Sequence, residues 1–241
     1  MPDLANNLLG YLGRIYQQTS GAGSALLLGV LRSDPLSGGK TGEVSYFNAV
    51  LAMADEVGWY DKRQLVPFAE FFPVPPLIRR WLRLMNLPYS DFTHGAPDQP
   101  PLSAAGLELA TTICYEDAYG SSQLAVLRRA TALVNVTNDA WFGHSTARYQ
   151  HLQLSRMRAQ EAQRWLIRAA NDGVSAVIGP RGEVVARAPE YQAAVLRSAV
   201  VPRKGLPPYA LVGNWLVVLL AMAGLSAVLL SYRLPARPPG D

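Results

Sequence analysis

One cysteine, Cys114, is the residue of this sequence whose type and setting best suit covalent chemistry. It is the only cysteine in 241 residues, so the chain cannot form an internal disulfide. Residues 107–113 alternate apolar side chains and end in β-branched ones, which predicts a strand directly before Cys114. With a helix expected over residues 118–129, Cys114 would lie in a strand-to-helix turn that favours a thiolate. The alternative is that Cys114 is an ordinary small apolar residue of the core.

A thiolate at this position would need a nearby cation, because Glu116 and Asp117 follow the cysteine and disfavour a negative charge. Lys62 and Glu70 stand on either side of Pro67 in a segment with extended character. Both side chains could turn toward one pocket. We therefore expect Lys62 to supply the cation.

The elements that must position these residues follow from hydrophobic periodicity. Strand and helix patterns alternate early in the chain, whereas late in the chain Asn171-Asp172-Gly173 predicts a hairpin. A Leu-rich run over residues 24–32 predicts a fully buried strand. The remaining predicted elements are helices over 7–18 and 146–161 and strands over 46–54, 132–137, 165–170, 174–178, 183–188 and 195–201, with a turn over 138–143.

A long apolar run near the end of the chain has the composition of a membrane span. The run from Trp215 to Tyr232 contains no charged residue, and as a helix it would be about 27 Å long, close to the hydrocarbon core of a bilayer. Its two terminal residues are aromatic, as is common at membrane interfaces. Arg233 and Arg237 follow it and favour a cytoplasmic C-terminus. The alternative is a buried core helix.

Composition narrows the possible partners. The hydrophobic share is 49%, and the net charge of +4 comes mainly from arginines scattered along the chain without a basic block. This pattern argues against a nucleic-acid partner and is compatible with weak attraction to anionic lipid. His94, His144 and His151 do not have the spacing of a zinc site, and there is no Gly-rich phosphate loop, so we predict neither a metal nor a cofactor.

Three motifs follow one another along the chain. They are Lys62 with Leu65-Val66-Pro67-Phe68-Ala69-Glu70-Phe71, then Ile113-Cys114-Tyr115-Glu116, then Asn138-Asp139-Ala140-Trp141-Phe142-Gly143. In this order they resemble the nitrilase (carbon-nitrogen hydrolase) superfamily, and most of all its membrane-bound branch, apolipoprotein N-acyltransferase. The resemblance runs from about Pro2 to Tyr232.

The resemblance implies an α/β fold, a nitrilase-like α-β-β-α sandwich that is incomplete at the N-terminus and is followed by one C-terminal transmembrane helix. We divide the chain into a catalytic domain lacking its first strand at 1–208, a transmembrane helix at 209–234 and a short tail at 235–241. The Pro-rich region around the amphipathic stretch 77–87 would be a mobile lid in this family. From the residues alone, that stretch could equally lie in a membrane interface or be a helix packed on the domain.

The resemblance also implies a reaction and a role for each site residue. Cys114 would take a fatty acyl chain from a phospholipid as a thioester and pass it to the N-terminal diacylglyceryl-cysteine of an apolipoprotein. Lys62 would stabilise the thiolate and the tetrahedral oxyanion, and Glu70 would orient Lys62 or relay a proton. The supporting residues would be Tyr115 and Glu116 beside the nucleophile, together with Asn48 and Trp141. The catalytic domain would face the periplasm or outer side of a bacterial inner membrane.

One departure from the family pattern concerns the general base. The family's Glu-Lys-Cys triad draws its Glu from a Trp-Pro-Glu-like motif just ahead of the Pro-Asp that matches Pro2-Asp3. We therefore expect this chain to be an N-terminally truncated fragment that lacks the base, and loss of such a base costs about 10²- to 10⁴-fold in rate. The alternative functions are a nitrilase-type amidase and a membrane-tethered pseudoenzyme that binds lipid without turnover.

Overall fold

The computed structural model describes residues 10–18, 23–34, 44–75, 78 and 92–233. Apart from Ile78, the predicted amphipathic stretch 77–87 lies outside the described residues, as does the tail 235–241. The predictions for both segments stay untested.

Nine strands in the described residues form two sheets. The first sheet is an antiparallel meander, and the second has six strands in sequence order, of which the middle pairings are parallel and the outer ones antiparallel. The first sheet contains β1 (Leu26–Asp34), β2 (Ser45–Met53) and β3 (Val57–Asp61). The second contains β4 (Leu102–Ala104), β5 (Leu107–Ile113), β6 (Ala132–Asn138), β7 (Leu166–Asn171), β8 (Ala176–Ile178) and β9 (Val184–Arg187).

Four helices and four short 3₁₀ turns accompany the sheets in the described residues. The helices are α1 (residues 10–18), α2 (Ala147–Ala162), α3 (Pro208–Val212) and α4 (Trp215–Arg233). The 3₁₀ turns cover Cys114–Ala118, Gly120–Gln123, Val126–Arg128 and Ala140–Phe142.

The six-stranded sheet is buried on both faces, because alternate residues of its central strands enter two different apolar clusters. On β5, Leu109 packs toward the three-stranded sheet, whereas Ala110 packs toward α2. On β6, Val134 packs toward the three-stranded sheet and Leu133 packs toward α2. The described residues therefore form a β-β-α stack, as expected for three layers of the predicted sandwich.

A close approach of the two sheets explains a glycine in β1. A Cβ atom on Gly29 would lie 2.8 Å from Cγ1 of Val136 on β6, which is nearer than packed carbon atoms tolerate. The absence of a side chain at Gly29 thus lets the sheets come together beside the end of β6.

Three secondary-structure predictions were wrong. The segment 118–129 is a series of 3₁₀ turns rather than a helix, because Gly120 and its two following serines are poor helix formers and Ser122 Oγ donates to the carbonyl of Tyr119 at 2.7 Å. Strand β1 is only partly buried, since it lies at a sheet edge and exposes residues such as Leu31. Residues 195–201 form no strand, and Val195 is exposed.

Helix α4 is the one helix in the described part of the chain that is long and apolar enough to cross a bilayer, judged by length and composition. Its side chains are exposed from Trp215 to Tyr232. It is separated from α3 by Gly213, whose φ of +56° ends the shorter helix. The described helix therefore begins at Trp215, and the predicted division at residue 209 stays a prediction.

Candidate active site

Cys114 lies directly after the last residue of β5 and begins the turn Cys114–Ala118. Its backbone has a φ of +50°, which is uncommon for a residue with a side chain and costs on the order of 1–3 kcal/mol. The cysteine is half-buried beside the cluster between the sheets. The predicted strand end and turn are confirmed, although the element that follows is a short 3₁₀ turn.

Glu116 holds this turn to the segment that carries Lys62. Its fully buried carboxylate accepts hydrogen bonds from the backbone N–H of Ile113 at 2.8 Å and from those of Arg63 and Gln64 at 2.8 and 3.1 Å. The hydroxyl of Tyr60 donates to the same carboxylate at 3.0–3.1 Å. One carboxylate, that of Glu116, therefore holds the backbone of Ile113, just before the cysteine, and of Arg63 and Gln64, just after the lysine.

Burial dominates the electrostatics at this junction. It raises the pKa of Glu116 above its usual range, against the lowering effect of the hydrogen bonds from the three backbone N–H groups and Tyr60. Burial also raises the pKa of Tyr60, and the neighbouring Glu116 charge adds to that shift. Tyr60 consequently stays a hydroxyl donor, as its contact with a carboxylate requires.

Lys62 and Glu70 meet, as the sequence predicts. Nζ of Lys62 lies 2.8 Å from both oxygens of Glu70, and the lysine side chain is only 1% exposed. Glu70 also accepts a hydrogen bond from Nδ2 of Asn48 at 2.9 Å and one from the backbone N–H of Val66 at 2.8 Å. The charge of this buried ammonium is thus balanced by a carboxylate that is itself held by two further donors.

The backbone around Lys62 is fixed on both sides. Its N–H donates to the carbonyl of Asn48 on β2, and its carbonyl accepts from the N–H of Gly95, both at 2.8 Å. A Cβ atom on Gly95 would lie 2.2 Å from the carbonyl oxygen of Asp61, so the approach of this segment requires a glycine.

A second polar cluster, which sequence reasoning missed, lies under the turn on the side of α2. His151, on the buried face of α2, has Nδ1 at 2.8 Å from Asp139 Oδ1 and Nε2 at 3.1 Å from the carbonyl oxygen of Cys114. Arg168 of β7 donates to Asp139 Oδ2 at 2.8 Å and to Asn135 Oδ1 at 2.8 Å. The cluster therefore connects the backbone of the nucleophile to three elements of the sheet and helix.

The charges in this cluster are mutually balanced. Asp139 is fully buried, which would raise its pKa, but the hydrogen bond and charge of His151 and the charge of Arg168 outweigh burial and hold its pKa below the usual range. Arg168 also lies 3.6 Å from Asp117, which accepts from Thr112 Oγ1 at 2.8 Å.

The composition of the cluster resembles that of a metal site, because polar atoms of Cys114, Asp139 and His151 lie within 4.8 Å of one another. However, the carboxylate of Asp139 already accepts from His151, Arg168 and the hydroxyl of Thr137. We interpret these residues as a hydrogen-bonded network and assign no metal to them.

The two aromatic residues predicted for the site are exposed. Trp141, in the turn after β6, is 89% exposed. Tyr115 is partly exposed and packs edge to face on Tyr119, with ring centroids 5.4 Å apart. Neither side chain is held inside the core, so both are accessible to a bound molecule.

The family model for carbon-nitrogen hydrolases matches residues 11–203. The chain belongs to this family. The carbon-nitrogen hydrolase fold predicted from the three motifs is thereby confirmed.

This family member is similar to curated apolipoprotein N-acyltransferases. It is 40% identical over 237 residues to the one from Pseudomonas aeruginosa strain LESB58, covering 98% of this chain and 45% of that protein. It is 43% identical over 222 residues to the one from Chromobacterium violaceum, covering 92% of this chain and 41% of that protein. The chain therefore spans less than half the length of these relatives.

Two solved structures share the fold of this carbon-nitrogen hydrolase family member. A carbon-nitrogen hydrolase from Helicobacter pylori G27 has a TM-score of 0.57 at 14% identity, over 80% of this chain and 67% of that one. The NitFhit protein of C. elegans has a TM-score of 0.52 at 21% identity, over 75% of this chain and 43% of that one.

Within this carbon-nitrogen hydrolase fold, the side chains of Lys62, Glu70 and Asn48 form one hydrogen-bonded group. Glu116 joins the backbone next to Lys62 to the strand end that precedes Cys114. Their catalytic roles stay predictions. The signal that could have found the second cluster is the helical spacing of polar residues on the buried face of α2, which are Arg148, His151, Ser155 and Arg158.

Proposed function

We propose that this chain carries the catalytic cysteine of an enzyme that transfers a fatty acyl chain from a phospholipid to the N-terminal diacylglyceryl-cysteine of an apolipoprotein. The observation that carries the proposal is the 40% identity, over 98% of the chain, to a protein named apolipoprotein N-acyltransferase. The geometry is compatible with it, because the single cysteine stands at a strained strand end next to a buried lysine segment.

In the first step, the thiolate of Cys114 attacks an ester carbonyl of the phospholipid. A carbon–sulfur bond forms, the tetrahedral oxyanion collapses, and the carbon–oxygen bond breaks to release a lysophospholipid, whose glycerol oxygen takes up a proton. In the second step, the α-amine of the acceptor attacks the thioester carbonyl and a carbon–nitrogen bond forms. The nitrogen gives up a proton, and the carbon–sulfur bond breaks to leave the amide and the Cys114 thiolate, which that proton can neutralise. The donor is thus deacylated before the acceptor reacts.

Lys62 would stabilise the oxyanion. An ammonium group has three N–H donors, and in the described residues Nζ contacts the two oxygens of Glu70. The third N–H would donate to the oxyanion. An oriented donor in a dry site contributes about 10²- to 10³-fold in rate when an oxyanion forms.

The proton acceptor for Cys114 lies elsewhere. The oxygens of Glu70 already accept from Lys62, Asn48 and Val66, and those of Glu116 from three backbone N–H groups and a tyrosine hydroxyl. Neither carboxylate can take the proton without giving up a donor. We therefore assign the role of general base to neither carboxylate.

Helix α4 would anchor the enzyme beside its lipid substrate. From Trp215 to Tyr232 it carries no charge, is exposed, and has an aromatic residue at each end. Because Arg233 and Arg237 follow it, the C-terminus would be cytoplasmic and the catalytic domain would face the periplasm or outer side of a bacterial inner membrane. Exposed Trp141 and Tyr115 offer apolar surface for acyl chains.

The test is acyl transfer from a phospholipid with a labelled acyl chain to a synthetic diacylglyceryl lipopeptide, read by mass spectrometry. We would assay this chain and the full-length product of its gene, both in detergent micelles. Transfer that disappears in Cys114→Ser supports the proposal. Ammonia release from simple amides would instead indicate an amidase. If both preparations bind phospholipid and neither transfers an acyl chain, the protein is a pseudoenzyme.

A further inference from the structure

The turn Ala140–Phe142, which carries Trp141, begins beside the nucleophile. Asp139 directly precedes the turn, and a carboxylate oxygen of Asp139, a ring nitrogen of His151 and the sulfur of Cys114 all lie within 4.8 Å of one another. Two residues of chain span at most about 7 Å. The backbone of Trp141 is therefore close to Cys114, although the indole itself is exposed to solvent.

The end of the same turn is held by Tyr191, a residue far along the chain. The carbonyl oxygen of Gly143 accepts hydrogen bonds from the hydroxyl of Tyr191 at 3.0 Å and from Nη1 of Arg148 at 3.2 Å. The ring of Tyr191 also packs on that of His144, with centroids 4.3 Å apart, and the guanidinium of Arg148 lies 4.8 Å from its centroid. Tyr191 thus contacts both residues that follow the turn.

Tyr191 is itself held in an unusual backbone conformation. Its φ is +56°, which is uncommon and costly for a residue with a side chain and persists only where neighbours hold it. The adjacent Glu190 supplies the hold. Its carboxylate lies 2.9 Å from Nε of Arg148, accepts from the hydroxyl of Tyr149 at 3.0–3.1 Å and pairs with Arg187. Strained and fastened segments of this kind are common at functional sites.

A fixed turn with an exposed indole is suited to bind a fatty acyl chain. A loop that becomes ordered only when its ligand binds loses conformational entropy at that moment, whereas a turn that the fold already holds avoids this cost. An indole also offers a large and rigid apolar surface. A chain bonded as a thioester to Cys114 would begin next to Asp139, two residues before Trp141.

We propose that Tyr191 is a positioning residue for Trp141, and that the positioned indole binds the acyl chain carried by Cys114. The inference rests on the proposed function, because that function supplies the acyl chain. It gives the ion pairs of Glu190 a task, since they hold Tyr191 against the turn. Loss of the hydroxyl of Tyr191 should therefore change the motion of one indole and weaken the binding of phospholipid.

The motion of the indole can be measured on this chain without phospholipid. We would incorporate 5-fluorotryptophan in detergent micelles and identify the fluorine signal of Trp141 as the one of five that Trp141→Phe removes. We expect its transverse relaxation rate to fall by about twofold in Tyr191→Ala and by less in Tyr191→Phe, which keeps the ring. The control Tyr209→Phe removes a similar hydrogen bond, to Asn214 at 3.0 Å, and should leave the signal unchanged. A lower unfolding midpoint with the Trp141 signal unchanged in both Tyr191 variants would overturn the proposal.

The binding of the acyl chain is tested in the full-length product of the gene, from initial rates of Cys114 acylation at increasing phospholipid concentration. We expect Tyr191→Phe to raise KM by about threefold with little change in kcat, because the indole does not touch the reacting atoms. Added to Trp141→Ala, it should have no further effect. An equal rise in KM with and without the indole would show that Tyr191 does not act through Trp141. If the wild type does not acylate Cys114, the proposed function fails and the bound acyl chain with it, whereas the fluorine signal still decides whether Tyr191 positions Trp141.

Discussion

Replacing Glu116 with glutamine should loosen the junction between the cysteine turn and the lysine segment. The glutamine oxygen can still accept from the N–H groups of Arg63 and Gln64, which both contact Oε1 of the present carboxylate. The new NH₂ group then faces the N–H of Ile113, which contacts Oε2. Two N–H donors then face each other, and the hydrogen bond that holds the backbone of Ile113, the residue before Cys114, is lost.

The magnitude follows from these contacts. Loss of a hydrogen bond to a charged group costs about 1.5–3 kcal/mol. A neutral amide costs less to bury than a carboxylate, so the substitution regains part of that free energy. We expect Glu116→Gln to lower the free energy of unfolding by about 1–3 kcal/mol. Glu116→Ala would leave three backbone N–H groups without an acceptor, at about 1–3 kcal/mol each.

The assay is thermal unfolding, monitored by far-ultraviolet circular dichroism, with every variant in the same detergent. For a chain of this size, a loss of 2 kcal/mol lowers Tm by about 4–8 °C. Glu108→Gln is the matched control, because its carboxylate accepts from the exposed hydroxyl of Ser103 and it lies on β5, the strand that precedes the turn of Glu116. If Glu116→Gln melts at the temperature of wild type and of the control, the carboxylate does not join the two segments as the structure indicates.

Three further outcomes are expected. Lys62→Met should slow acyl transfer about 100-fold or more, whereas Lys204→Met, at an exposed position, should not change the rate. Because its pKa is lowered in the fold, Asp139 contributes stability that is present above its ordinary value of 3.8 and is lost as the pH falls through the folded value. The difference in unfolding free energy between wild type and Asp139→Asn should therefore be full at pH 5 and shrink below 3.8, and a constant difference would contradict this. Gly95→Ala should cost about 1–3 kcal/mol because its Cβ would meet the backbone of β3, whereas Gly224→Ala, in open space, should cost nothing measurable.

Local sequence signals predicted the elements that carry the chemistry. The bounds of β5 follow from its apolar alternation and β-branched residues, and Asn171-Asp172-Gly173 joins antiparallel β7 and β8 as a hairpin should. The pairing of Lys62 with Glu70 also follows from local spacing, since both flank one short loop.

The second cluster could not be predicted from local signals. His151 reaches Cys114 only because α2 packs over the end of β5, and Arg168 reaches Asp139 across neighbouring parallel strands. The spacing of the three histidines excludes a zinc site but gives no sign of what His151 contacts, which is a carboxylate and a backbone carbonyl from distant parts of the chain. The partial exposure of β1 was missed for a similar reason, since an unbroken apolar run does not show that a strand lies at an edge.

The most direct test of the account is the mass of the single cysteine's adduct after incubation with a phospholipid of known acyl chain. In the full-length product of the gene, we predict one acyl group on Cys114, removed by neutral hydroxylamine as a thioester is, and absent from Cys114→Ser. A full-length protein that transfers acyl groups without this adduct, or that retains it in Cys114→Ser, would contradict the assignment of Cys114 as the nucleophile.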